Sequence, residues 1–183
     1  MSTLVADASA LVSLGIVADS DPAPLALCLS HYEVVVPTTV IAELRDIASY
    51  DDAHGRAAST ALDRTEAYET RAVALDAEFL FDDGENAAVT LANDLGAALC
   101  LCDEFNQLGL IHASLADTQL VTTPTLLAML VRTEQLSAAD AQLLLDTISD
   151  ARSWGTNSYV QRTQSFSRST DIDAIDPCSR STT

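Results

Sequence analysis

Residues 97–103 have the sequence Ala-Ala-Leu-Cys-Leu-Cys-Asp, an apolar run that stops at an acidic residue. A short run bounded in this way predicts a strand that is buried on both faces. The same pattern occurs at residues 3–7, Thr-Leu-Val-Ala-Asp, and a β-branched run at residues 33–36 stops at Pro37. Stretches with helical spacing separate these runs. Strands that alternate with helices predict an α/β fold around a mostly parallel sheet.

The remaining elements follow from the spacing of apolar residues and from turn residues. Thr38 or Thr39 is expected to cap a helix that ends near Ser49, and a weak strand is expected at residues 71–75. The residue Gly96 is expected to end another helix. The expected helices cover residues 8–16, 52–68, 85–94, 104–112, 124–133 and 137–151, and residues 119–122 form a further short run between two of them.

The chain of 183 residues is expected to form one domain followed by an extension. Residues 1–150 carry a charge of −19, whereas residues 151–183 carry +1 and contain 12 serines and threonines. One more helix is expected at residues 158–167, and disorder is expected beyond Ser169. The extension could contact RNA or could be a solvated terminus, and the sequence leaves both open.

The composition is strongly acidic. There are 27 acidic residues, nine arginines and no lysine, which gives a net charge of −18 and an isoelectric point near 4.1. This balance excludes a protein that binds nucleic acid or membranes through bulk positive charge, and the lack of lysine excludes any mechanism that needs one. At about 1 M salt the Debye length is only about 3 Å, so repulsion among the carboxylates is largely screened. The composition therefore predicts a salt-rich cytoplasm and resembles that of proteins from extreme halophiles.

Neither a membrane span nor a secretory leader is expected, because the apolar runs are short and the first residues lack a basic segment. A cytoplasmic location, with reduced thiols, is the resulting prediction. Cys100 and Cys102 would lie on the same face of a strand. We expect them to pack in the core, because no second cysteine pair or nearby histidine completes a zinc site.

Four carboxylates stand out as candidate functional residues. Asp7 and Asp103 each follow a predicted strand at its carboxyl end, where open α/β sheets bind ligands, although each could instead cap the next helix. Glu43 lies on the apolar side of its helix, where a carboxylate costs free energy unless it is paired, bound to a metal or able to reach water. Glu85 begins a helix, where the helix dipole alone favours an acid.

Together, these four residues predict a site for a divalent cation. Carboxylate oxygens from separate elements are the ligands that Mg²⁺ and Mn²⁺ prefer, and four like charges in one crevice would otherwise repel each other. Such a cation can activate a water and stabilise the negative charge that develops on a phosphate. The pattern is therefore typical of a metal-dependent nuclease.

The order of these motifs resembles the PIN-domain family of metal-dependent ribonucleases, which includes VapC-type toxins. The resemblance covers about residues 3–150. It is carried by four segments, each of which contains one of the acids: Leu-Val-Ala-Asp-Ala-Ser at residues 4–9, Val-Pro-Thr-Thr-Val-Ile-Ala-Glu-Leu at residues 36–44, Asp-Gly-Glu-Asn-Ala-Ala at residues 83–88, and Leu-Cys-Leu-Cys-Asp at residues 99–103.

The resemblance implies a three-layer α/β/α fold and hydrolysis of RNA phosphodiester bonds. It makes Asp7, Glu85 and Asp103 the metal ligands, and Glu43 a direct or water-mediated one, for Mg²⁺ or Mn²⁺. Ser9 would be a supporting hydroxyl at the substrate. The resemblance also implies a homodimer and a cognate antitoxin protein as partners.

The sequence departs from the family in the basic residues that would bind RNA phosphates, and this departure leaves an alternative function open. Family members often carry basic residues after the last aspartate, whereas Glu104, Phe105 and Asn106 follow it here. The candidates for phosphate contacts are Arg45 above all, then Arg56, Arg132 and the arginines of the extension. A non-catalytic PIN-like module that binds RNA or protein therefore remains an alternative.

Other classes are disfavoured by missing residues. A receiver-type signalling domain needs a lysine at a strand end, and the chain has none. A Ser-His-Asp hydrolase would need a Gly-x-Ser-x-Gly elbow, and a dinucleotide-binding fold would need a glycine cluster after the first strand. Neither motif is present.

Overall fold

The computed structural model describes residues 1–162. The strands in this part of the chain are β1 (Ser2–Ala6), β2 (Tyr32–Pro37), β3 (Glu69–Arg71), β4 (Leu99–Leu101) and β5 (Gln119–Val121). The helices are α1 (Ala8–Ile16), α2 (Pro24–His31), α3 (Thr38–Ala48), α4 (Ala53–Leu62), α5 (Asp83–Leu95), α6 (Leu108–Ser114), α7 (Thr123–Arg132) and α8 (Ala138–Arg152). Cys178, the expected disorder beyond Ser169 and the end of the helix expected at 158–167 lie outside the described residues. Residues 158–162 are helical, as predicted.

The five strands form one parallel sheet in the order β3-β2-β1-β4-β5. Val5 at the centre of β1 pairs with Val35 on one side and with Cys100 on the other. The predicted α/β fold with a parallel sheet is therefore confirmed.

Helices cover both faces of the sheet, because side chains of successive strand residues point to opposite faces. Leu4, Val34 and Leu101 pack on the face covered by α1, α3, α4, α7 and α8. Val5, Val35 and Cys100 pack on the opposite face, against α5 and α6. This gives the three layers of an α/β/α fold, with one apolar core on each side of the sheet.

Cys100 and Cys102 are both buried in the second core, and their thiols are free. The prediction that this pair packs in the core is confirmed. Within residues 1–162, no helix has both the length and the apolar composition that a bilayer crossing requires.

Several element boundaries differ from the sequence predictions. Pro37 precedes α3 and no side chain caps that helix, so the predicted Thr38 or Thr39 cap is wrong. The weak strand occupies residues 69–71 rather than 71–75, because its position is set by pairing with β2 and not by apolar residues. The helix predicted from residue 104 begins at Leu108, since residues 103–107 make turns first. Helix α2 was not predicted, and it begins with Pro24 in the first turn, where proline is compatible with a helix.

The strand order places a crevice beside β1. The chain passes from β1 through β2 to β3 on one side of the sheet and then returns to β4 on the other side of β1. The carboxyl ends of β1 and β4 therefore flank a topological switch point, where open α/β sheets bind ligands. A hydrogen bond of 2.9 Å from the amide of Asp7 to the carbonyl of Leu101 joins the two strand ends.

Candidate active site

Asp7 follows β1 at its carboxyl end, beside this crevice, and is the N-cap residue of α1. Its Oδ2 accepts hydrogen bonds from the Ser9 amide at 3.1 Å, from the Ser9 hydroxyl at 2.6 Å and from the Cys102 thiol at 3.6 Å. Asp7 therefore caps α1, which was the structural alternative for this residue. None of these three bonds uses Oδ1. Burial raises the pKa of Asp7, which is only 3% exposed, and the bonds from Ser9 oppose that shift.

Ser9 connects the two predicted aspartates. Its hydroxyl donates to Asp7 and accepts a hydrogen bond of 3.0 Å from the amide of Asp103. A single side chain thus fixes the end of β1 relative to the end of β4. Ser9 is a positioning residue in this geometry.

Asp103 is held by the start of α7 rather than by the helix that follows it. Its Oδ1 accepts from the Thr123 amide at 2.7 Å, and its Oδ2 accepts from the Thr123 hydroxyl at 2.7 Å. The alternative that Asp103 caps the next helix is therefore wrong, since α6 begins at Leu108 and no side chain caps it. Burial raises the pKa of this carboxylate, and the bonds from Thr123 oppose the shift.

Glu43 reaches from α3 to the first turn of α5. Its carboxylate lies so close to Gly84 that a Cβ at that position would overlap Oε2. The side chain is half-buried. Partial burial and the negative charges of Asp7, Asp82 and Glu104 raise the pKa of Glu43 to about 7. A carboxylate with this pKa can take up and release a proton near neutral pH.

Glu85 and Asp82 form a capping box at the start of α5. The Asp82 side chain accepts from the Glu85 amide at 3.0 Å, and Glu85 Oε2 accepts from the Asp82 amide at 3.2 Å. The structural alternative for Glu85 was that the first turn of a helix favours an acid. The capping box shows how this acid stabilises the first turn of α5. Burial and the charges of Asp82, Asp7 and Glu104 raise the pKa of Glu85 to about 8.

The structure adds two acids that the sequence analysis did not select. Asp82 and Glu104 raise the pKa of Glu43 and of Glu85 through their charge. Burial and the charge of Asp7 in turn raise the pKa of Glu104. The carboxylate cluster of this crevice consists of Asp7, Glu43, Asp82, Glu85, Asp103 and Glu104. An Asp-x-x-Glu capping-box pattern could have identified Asp82 from the sequence, whereas Glu104 carries no such signal.

The positive charge near the cluster comes from a residue that the sequence analysis did not select. Arg152, the last residue of α8, lowers the pKa of Asp103 and of Glu104 through its charge. Arg45, the predicted phosphate contact, is exposed and makes no ion pair with another described residue. It lies two residues after Glu43, and helix positions two apart do not share a face. The structure therefore does not bring Arg45 to the cluster.

The cluster offers only oxygen donors, which suits a hard divalent cation chemically. As the side chains stand, however, no three His, Cys, Asp or Glu residues in the described part of the chain form a group that could hold a metal ion. Thr123 occupies both oxygens of Asp103, and Asp82 occupies one oxygen of Glu85. The donor chemistry thus fits Mg²⁺ or Mn²⁺, while binding would require these carboxylates to move from their present arrangement.

Replacing Gly84 with alanine is expected to move the Glu43 carboxylate without unfolding α5. The added methyl group would displace the end of a flexible side chain, and alanine favours a helix more than glycine does. We expect the affinity for Mn²⁺ to fall about tenfold, as for other changes that disturb a metal ligand's orientation. Titration of Mn²⁺ followed by calorimetry measures this affinity.

Gly109→Ala is the matched control, because a Cβ at that helical position meets no atom within 4 Å. It is expected to leave the Mn²⁺ affinity at the wild-type value. An unchanged affinity in Gly84→Ala would show that Glu43 takes no part in metal binding.

No protein-family model matches this chain, and a search among curated proteins also finds no match. Inferences about function therefore depend on the fold, on the geometry of the crevice and on the resemblance of the sequence motifs.

Proposed function

We propose that this chain is a metal-dependent endoribonuclease of the PIN type. The observation that supports this proposal is the carboxylate cluster at the switch point of a parallel α/β/α sheet. Its members come from the end of β1, from α3, from the start of α5 and from the end of β4. Burial raises the pKa of five of them, and the charges of neighbouring acids raise the pKa of four of these further, namely Asp7, Glu43, Glu85 and Glu104. Such an arrangement costs folding stability unless a cation neutralises it, which is the behaviour expected of a functional site.

In this proposal Asp7, Glu85 and Asp103 hold Mg²⁺ or Mn²⁺, and Glu43 is a direct or water-mediated ligand. A bound divalent cation would lower the pKa of an attacking water and neutralise charge on the RNA phosphate. Asp7 can use Oδ1 while its Oδ2 remains bonded to Ser9. Ser9 keeps the ends of β1 and β4 in register.

A second candidate function is a PIN-like module that binds RNA or protein without cleaving it. The observation that favours this alternative is that Asp103 and Glu85 already have hydrogen-bond partners in the fold. In a binding module, these carboxylates would hold α7 and α5 in place and would not need a metal.

Membership in a toxin–antitoxin pair is a further proposal that is supported by the resemblance alone. It implies a cognate antitoxin and a homodimer. Isolation of the protein from its source cells with a small bound protein would support it, whereas a chain that elutes alone and has no small gene beside its own would contradict it.

The experiment that tests the proposed function is cleavage of a mixed RNA pool by the purified protein in about 2 M KCl, a salt concentration that screens its surface charge. Parallel reactions contain Mn²⁺, Mg²⁺ or EDTA. We expect discrete cuts with either metal and none with EDTA. If folded protein makes no cuts, a Mn²⁺ titration separates the candidates: a nuclease restrained by a partner still binds the ion, and a binding module does not.

A further inference from the structure

Three aromatic side chains form a connected group beside the carboxylate cluster. The ring of Phe105, two residues after Asp103, meets the ring of Trp154 edge-on, with centroids 4.9 Å apart. It is also stacked with the ring of Tyr159, with centroids 6.0 Å apart and planes 30° from parallel. We call Phe105, Trp154 and Tyr159 the aromatic platform. Phe105 connects it to the loop that carries Asp103 and Glu104.

The platform has a buried side and a solvent-facing side. Trp154 is 7% exposed and belongs to the first core, whereas Tyr159 is 48% exposed. The core therefore fixes Trp154 and Phe105, and these rings support Tyr159 at the surface. An exposed tyrosine backed by fixed rings offers a flat surface at low conformational cost.

Arginine lies at the border between the platform and the cluster. The guanidinium carbon of Arg152 is 5.7 Å from the centroid of the Trp154 ring, and its charge acts on Asp103 and Glu104. The protein thus places an aromatic surface, a positive charge and the carboxylates side by side. This combination occurs where proteins bind single-stranded nucleic acid, with bases on aromatic rings and the backbone on arginine.

Salt and net charge make stacking the favoured form of contact here. A protein with a net charge of −18 gains little from bulk attraction to phosphates, and high salt weakens phosphate contacts steeply. Stacking of a base on an aromatic ring is tolerant of sequence and is not an ionic contact.

We propose that Tyr159 stacks on an unpaired base of single-stranded RNA whose backbone passes Arg152 and enters the carboxylate cluster. This inference rests on the proposed function, because it assumes that the strand at the cluster is RNA. In this inference the aromatic platform binds the substrate, whereas the sequence alone suggested Arg45 and other arginines for that role. It also predicts a preference for unpaired RNA over duplex RNA, since the bases of a duplex are already stacked.

The test measures binding of short labelled oligoribonucleotides by fluorescence anisotropy in about 2 M KCl with EDTA, so that no cleavage can occur. The probes are an adenosine octamer and an abasic octamer with the same phosphates. Quenching of Trp154, the single tryptophan of the chain, provides a second readout at the platform. We expect the wild-type protein to bind the adenosine octamer at least about tenfold more tightly than the abasic one.

The variants separate stacking from a general effect on the surface. Tyr159→Ala is expected to weaken binding of the adenosine octamer about tenfold and to leave binding of the abasic octamer unchanged. Tyr159→Phe keeps the ring and is expected to bind like the wild type. Tyr50→Ala is the matched control, because Tyr50 is also exposed, at 66%, and lies outside the platform. Circular dichroism verifies that each variant is folded.

Equal binding of the two octamers by the wild type would overturn the inference, and so would wild-type binding by folded Tyr159→Ala. These outcomes are independent of the nuclease test. Metal-dependent cleavage together with unchanged binding in Tyr159→Ala contradicts the platform alone. Base-dependent binding lost in Tyr159→Ala, without any cleavage or Mn²⁺ binding, supports the platform and contradicts the nuclease.

Discussion

Replacing Asp103 with asparagine is expected to lower metal-dependent RNA cleavage by more than about 100-fold. Loss of a residue that merely orients a metal ligand costs about 10- to 100-fold, so loss of a ligand charge should cost at least as much. The asparagine side chain can still accept the 2.7 Å hydrogen bond from the Thr123 amide. The substitution also removes a buried carboxylate, and burial raises the pKa of that group because it disfavours the charged form. The thermal unfolding midpoint of the metal-free variant is therefore expected to equal or exceed that of the wild type.

The comparison variants identify the cause of the loss. Asp7→Asn should reduce cleavage to the same extent, because Asp7 lies across the same crevice and is joined to Asp103 through Ser9. Asp94→Asn makes the same chemical change at an exposed position near the end of α5 and should cleave RNA like the wild type. Cleavage retained in both crevice variants would show that these aspartates do not hold the catalytic metal and would favour the binding module.

The sequence was sufficient to predict the three inner strands of the sheet, because burial on both faces leaves a strong local pattern. The runs at residues 3–6, 33–36 and 97–102 are nearly continuous in apolar residues, and each overlaps a strand of the parallel sheet, β1, β2 and β4 respectively. Strand β3 lacks this pattern, since its residues are half-exposed or exposed at the sheet edge. Its position depends on pairing with β2, which a local pattern does not contain.

The sequence predicted most acids of the candidate site but not its arginine and aromatic residues, because only the acids leave a local pattern. An acid that ends an apolar strand is visible in the sequence, and the fold brings Asp7 and Asp103 to the same crevice. Arg152 and Tyr159 are about 50 residues further along the chain, and only tertiary packing places Arg152 near Asp103 and Tyr159 against Phe105. Arg45 was a candidate because the chain has few positive charges, but it lies two residues after Glu43 on α3 and so does not share that residue's face.

Affinity for Mn²⁺ is expected to rise by more than about 100-fold between about pH 6 and about pH 8. Protons compete with the cation for carboxylate oxygens, so each group that must lose a proton makes binding tighter as the pH rises. Glu43, with a pKa of about 7, and Glu85, with a pKa of about 8, are largely protonated at the lower pH in the metal-free protein. Deprotonation of Glu43 accounts for about tenfold of the increase and that of Glu85 for about 50-fold.

Calorimetric titrations at several pH values, repeated in buffers with different ionisation enthalpies, measure both the affinity and the number of protons released. Glu43→Gln should reduce the pH dependence by about tenfold and leave the contribution of Glu85. An affinity that does not change over this interval would mean that neither glutamate is deprotonated on binding, and the metal would then have to use other ligands.

The same two glutamates set the sign of the effect of pH on the metal-free fold. Folding raises the pKa of each above the ordinary value of 4.5, so their contribution to stability is fully present below about pH 4.5. It is lost as the pH rises through about 7 for Glu43 and about 8 for Glu85. A cation that neutralises the cluster should therefore stabilise the fold most at a pH where both glutamates are charged in the metal-free protein. The rise in unfolding temperature on addition of Mn²⁺ should therefore be larger at about pH 8 than at about pH 6, and it should be absent in a protein whose carboxylate cluster serves only to hold helices in place.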